Sequence, residues 1–146
     1  MNILLNAGYA FIATMSFCIL FQCPKKAIVS AGFCGMLAWT VYTLVFIPFE
    51  SVIVATFAGA FATGLASQII ARIQKMPITI TLMPGIIPLV PGAGMYFTML
   101  YLLQGNYEQA IYKGTETMLI ALAIANAVII TATIYKIILS IKIIKK

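Results

Sequence analysis

The side chains that carry most protein chemistry are scarce in this sequence. It has no histidine, and Glu50, Glu108 and Glu116 are its whole acidic set. A metal site needs a cluster of His, Cys, Asp or Glu, a hydrolytic triad needs a base beside its nucleophile, and glycoside chemistry needs paired carboxylates. None of these can be assembled, so no metal, cofactor or catalytic residue is expected and the chain does not read as an enzyme. An intramembrane enzyme would need nucleophile and base on facing spans, and neither a histidine nor a deep acid is there to serve. Cys18, Cys23 and Cys34 match no CxxC or zinc spacing and lie in or beside apolar runs. They read as free thiols packed as small hydrophobes. The residues with something to offer are of another kind. Residues 76–104, MPITITLMPGIIPLVPGAGMYFTMLYLLQ, carry Pro77, Pro84, Pro88 and Pro91 together with Gly85, Gly92 and Gly94. Prolines remove backbone hydrogen bonds and glycines loosen the chain, so this stretch can present free N–H and C=O groups. The chemistry that follows is non-covalent binding.

Positioning such a segment falls to the elements around it, and composition says where they lie. Of the 146 residues, 63% are hydrophobic and 8% charged. A typical soluble domain is about one-quarter charged, so no water-facing surface can be built from this chain. The net charge of +6 comes from basic residues scattered between apolar runs, which gives no continuous basic face for nucleic acid. A bilayer core about 30 Å thick takes about 20 apolar residues as a helix. Runs of that length occupy residues 3–21, 27–47 and 51–71, and a last one covers 117–141 with its basic extension. The first run lacks a basic leader and its apolar stretch is too long for a secretory signal, so it reads as a retained span. Residues 77–104 make the remaining crossing, interrupted at 84–94. The expectation is an all-α polytopic membrane protein over residues 1–146, one transmembrane domain with about five helices and a Pro/Gly-broken fourth.

Orientation follows from the connections. With five crossings, every basic residue except Lys113 falls on one side, and all three glutamates fall on the other. Short basic loops stay cytoplasmic, which sets the N-terminus out and the C-terminus in. Tyr96, Tyr101, Tyr107 and Tyr112 then approach the outer interface, where such rings collect.

Irregular backbone survives at membrane depth only when it is buried in protein or faces a watery cavity. Counting back from Gln104 puts the break near the midplane, with a half-helix starting at about Gly94. Its N–H groups and positive dipole end would suit an anionic group such as a substrate carboxylate. On this reading Pro84, Gly85, Pro88, Pro91, Gly92, Gly94 and Tyr96 line a substrate pathway. The plainer reading is a loop followed by one short kinked span that the prolines merely shape. Asn126, in the middle of the last run, either touches substrate or bonds a neighbouring helix. Ala55, Gly59, Ala62 and Ala66 recur at helical spacing on the third run and read as a helix interface. No carboxylate lies deep in any run, so a proton-coupling group belongs to another subunit. The ending KIILSIKIIKK either lies on the membrane surface, lysines toward anionic lipid, or simply sets topology.

The string MPGIIPLVPGAGMYFTMLYLLQGN, followed by GTETMLIALAIANA, resembles the C-terminal half of the threonine/serine exporter family in its small split-subunit form. PLVPG at residues 88–92 is the most specific part, and its order between a basic loop and an Ala-rich last helix strengthens it. The resemblance implies a bacterial inner-membrane exporter of threonine and serine, or of a small dicarboxylate such as succinate, powered by the proton motive force. It also implies a second membrane subunit corresponding to the N-terminal half. Lipid is the remaining partner, and self-association stays open. The competing function is an accessory membrane subunit that stabilises or assembles a partner transporter without contacting substrate.

Overall fold

In hydrocarbon a chain must satisfy its backbone polar groups internally, and long apolar runs do so as helices. The computed structural model describes residues 3–144, for which residue 139 and residues 141–144 are described by backbone only, and the described residues form helices joined by short turns. These are α1 (Ile3–Leu20), α2 (Lys25–Phe49), α3 (Val52–Gln74), α4 (Thr79–Ile86), a 3₁₀ turn (Ile87–Leu89), α5 (Gly92–Leu103) and α6 (Tyr107–Ile144). The helices α1, α2, α3 and α6 are each long and apolar enough to cross a membrane; α4 with its 3₁₀ turn and α5 form a pair bent by 53°, which taken as one broken span makes a fifth. The chain is an all-α polytopic membrane protein.

The turns explain the boundaries. Glu50 and Lys75 take left-handed backbone and end α2 and α3, and the Ser51 hydroxyl accepts from the Val54 N–H at the start of α3. Between α5 and α6 the left-handed position falls to Gly105, φ 74°, where a side chain would be strained. The Asn106 N–H returns to Tyr101 O at 2.9 Å and its side chain accepts from Gln109 N, so one residue closes α5 and opens α6.

The interior is made of small residues. The bulkiest fully buried side chains are threonines, a proline, two cysteines and a serine, while leucine, isoleucine, phenylalanine and methionine crowd the outside. That distribution suits a lipid solvent, in which apolar side chains gain little by hiding and close backbone approach holds helices together. Buried threonine hydroxyls return to carbonyls of their own helix: Thr14 to Ala10, Thr63 to Gly59, Thr117 to Lys113 and Thr131 to Val128. Thus satisfied, all four press on glycines of a neighbouring helix. Thr14 sits on Gly35 (α1 on α2), Thr131 on Gly64 (α6 on α3) and Thr117 on Gly94 (α6 on α5). Gly85 of α4 meets Cys34 and Thr63, which wedges α4 between α2 and α3.

These contacts also fix the levels of the helices. Gly64 faces Thr131, Ala60 clusters with Ala127, and Arg72 donates to the Tyr135 hydroxyl, so α3 and α6 run parallel. Carried along the helices, the Gly64–Thr131 and Ala60–Ala127 pairs set the start of α3 level with Leu119. Residues 107–118 of α6 therefore extend past α3 by about 18 Å at 1.5 Å per residue. Against that extension lies α5, antiparallel, with Gly94 on Thr117 and Thr98 on Gly114. The result is an arm projecting from the end of the bundle that carries Glu50.

Two sequence expectations change here. The last helix starts at Tyr107 rather than 117, because Asn106 caps it and nothing in residues 107–116 breaks a helix. The break in the fourth segment is also shorter than residues 84–94. Pro84 lies inside α4, and the Ile80 carbonyl that its missing N–H leaves free accepts instead from the Cys23 thiol at 3.7 Å. Of the basic extension, Lys145 and Lys146 and the side chain of Lys142 lie outside the described residues; the backbone continues α6 as far as Ile144.

Candidate functional site

The break is confined to Val90 and Pro91. Pro91 takes φ −78° and ψ 56°, the Gly92 N–H closes a tight turn on Val90 O at 2.8 Å, and α5 starts at Gly92 without a side-chain cap. Pro91 also offers its carbonyl to the Met95 N–H at 3.1 Å. Among the described residues, no turn or loop carbonyl accepts from the N–H of Ala93 or Gly94. The first turn of α5 thus presents free donors at the positive end of a helix dipole.

Its place along the bundle is set by its neighbours. Leu89 packs against Gly59 and Ala60, about 12 Å from the start of α3 at 1.5 Å per residue, and the break lies beyond it toward the Glu50 end. From the break, α5 runs along the projecting part of α6 rather than along α3.

The candidate pathway residues separate into groups. Pro84 and Gly85 are buried in the wedge between α2 and α3 and line no opening at the break. Pro88 faces a crevice of about 310 Å³ between α1 and α2, shared with Asn6, Tyr9, Ala10, Ala13 and Trp39. Pro91 lines an apolar groove of about 600 Å³ between α5 and α6, together with Val90, Met95, Met99, Met118 and Ile124. Gly92 is exposed, with nothing near the place a Cβ would take, and Gly94 is pressed by Thr117. Tyr96 is exposed on α5 and stands edge-on to Phe97. Asn126 is exposed and donates to Leu122 O of its own helix at 2.9 Å, so it bonds no neighbouring helix. The structure therefore gathers Pro88, Pro91, Gly92 and Gly94 around the break, and sets Asn126 apart on the surface of α6.

The interface expected on α3 is rotated. Ala55 and Gly59 are buried, whereas Ala62 and Ala66 are half-buried; Thr56, Ala60, Thr63, Gly64, Ser67 and Ala71 complete the buried face. Counting only glycine and alanine missed the hydroxyl residues that share it.

Two features were not singled out from sequence. One is the Asn6–Tyr9–Trp39 crevice, whose signal was an amide and the single tryptophan set in charge-free runs. The other is an opening of about 850 Å³ at the base of the arm, lined by Glu108, Gln109, Tyr112, Thr115 and Glu116 with Ile53. Beside it Lys113 pairs with Glu116 at 2.6 Å. Among the described residues no group of His, Cys, Asp and Glu could hold a metal ion. The free N–H groups at the start of α5 are donors that an anionic group could meet.

A sequence model of the family described as threonine/serine exporter, ThrE, matches residues 6–134. No curated protein and no solved structure matches the chain.

Proposed function

Because the chain belongs to the threonine/serine exporter family, a transporter family, we propose that it is one subunit of a two-component exporter of small amino acids in a bacterial inner membrane. The observation that carries the reading is the broken helix pair: a tight turn at Val90–Pro91 opens α5 with free backbone donors at the Glu50 end of an apolar bundle. Half-helices of this kind serve transporters by pointing their N-termini at a substrate's anionic group. Here the N–H groups of Ala93 and Gly94 take the carboxylate, Pro91 and Gly92 shape the turn, and Tyr96 flanks the way out. No covalent step is involved.

The second component rests on two features of this chain. No residue of α5 is buried, and the apolar groove it forms with α6 is left open by the rest of the fold. A companion membrane half covers it, and rocking of that half against the arm alternates access. The proton motive force is coupled through the companion, since Glu50, Glu108 and Glu116 all sit near helix ends and the described parts of α1 and α3 contain no acid.

The test is to express the chain with and without the companion half in cells loaded with a threonine-containing dipeptide, following threonine and succinate in the medium. Threonine release that needs both chains supports the reading. Release by this chain alone removes the two-component arrangement, and a stable complex that releases neither solute removes the exporter reading.

A further inference from the structure

The crevice between α1 and α2 holds polar groups of a different kind from those in the core. Buried threonine hydroxyls return to carbonyls of their own helices. The Asn6 carboxamide, the Tyr9 hydroxyl and the Trp39 indole N–H make no hydrogen bond to any described residue, yet they meet around one opening of about 310 Å³. The Tyr9 ring is exposed and Asn6 and Trp39 are half-buried, so all three groups are open to a bound molecule. Pro88 forms one wall, three residues before Pro91, so the crevice opens at the level of the break.

Its charge environment narrows the ligand. The described part of α1 has no Lys, Arg, Asp or Glu, and α2 has none between Lys26 and Glu50. A dicarboxylate would meet no counter-charge there. A cation would meet no carboxylate either, but it would meet ring faces, which attract cations strongly where water is excluded. Tyr42 stacks on Trp39 with centroids 5.2 Å apart, and Phe46 stacks on Tyr42 at 5.8 Å, so a column of rings along α2 holds the indole in place. The volume lies at the small end for ligand sites, which suits a molecule of a few heavy atoms.

We infer that this crevice receives the ammonium end of a small zwitterionic amino acid, with Trp39 and Tyr9 supplying ring faces and the Asn6 side-chain oxygen accepting a hydrogen bond. The inference rests on the exporter reading above and adds the residues that select an amino acid over a dicarboxylate.

Trp39 is the single tryptophan, so its emission reports on the crevice directly. With the full chain in lipid nanodiscs, L-threonine is expected to change that emission saturably, while succinate and 3-hydroxybutyrate, which keeps the carboxylate and hydroxyl but lacks the ammonium, leave it unchanged. In cells, Trp39→Ala is expected to lower threonine release at least tenfold at unchanged membrane level, with Trp39→Phe retaining most of it. Tyr9 is 67% exposed, so Tyr9→Leu spares folding and carries the cellular test if Trp39→Ala is lost from the membrane. An equal response to 3-hydroxybutyrate, no response to threonine, or full threonine release by the variants overturns the inference and leaves the exporter reading standing. A wild-type system that releases no amino acid overturns both.

Discussion

At the scale of single residues, the fold depends on threonines packed against glycines. Thr117 bonds the Lys113 carbonyl at 2.7 Å, which directs the rest of its side chain at Gly94. A methyl group added at Gly94 would collide with the Thr117 hydroxyl, whereas at Gly92 it would meet nothing within 4 Å. Alanine favours a helix over glycine by about 1 kcal/mol, and overpacking costs about 1–3 kcal/mol. Gly92→Ala is therefore expected to leave thermal unfolding in detergent unchanged or slightly raised, and Gly94→Ala to lower it. Adding Thr117→Ala should recover most of that loss, because only the Thr117 Cβ, at 3.3 Å, would then face the new methyl. Failure of the double variant to recover would show that the pair does not dock α5 on α6.

At the scale of elements, the break and the arm make separate predictions. Three of the chain's own cysteines are packed to different degrees, Cys18 and Cys34 buried and Cys23 half-buried, so an added thiol can be read against a low background. A cysteine at Ala93, exposed in the first turn of α5, is expected to react with small aqueous thiol reagents and to react more slowly with threonine present. An unreactive thiol there, or one that threonine leaves untouched, would remove the aqueous pathway from the break. The projecting part of α6 tests orientation: a cysteine at Gln109 should label with an impermeant reagent on intact cells, and one at Lys25 only after permeabilisation. The reverse pattern would invert the topology read from the basic loops.

For the whole molecule, the question is what covers the arm. Met95, Met99, Leu102 and Met118 line a groove that no other helix of the chain fills. Met99→Lys places a charge in that groove without touching the α1–α3 bundle. It is expected to reduce co-purification of the companion half while this chain's own membrane level stays constant. Undiminished co-purification would mean that the companion docks elsewhere.

Sequence alone determined the membrane class, because a chain with so little charge cannot face water and its charge-free runs have the length of the bilayer. It also picked out the Pro/Gly segment, since proline's missing N–H is a covalent property that no environment alters. Tertiary structure decided which of those residues stand at the break. Pro84 stays helical because the Cys23 thiol reaches the carbonyl it strands, a partner 57 positions from Ile80 in the chain. The position of the break relative to the bundle followed from α5 pairing with the projecting turns of α6, and the α3 interface from threonines that interlock with glycines on other helices. The Asn6–Tyr9–Trp39 crevice had only an amide and the single tryptophan in charge-free runs as its local signal, because its walls come from three elements that meet only when α1, α2 and the 3₁₀ turn are packed. Periodicity and composition are properties of one segment, whereas depth, register and the convergence of side chains depend on which segments become neighbours.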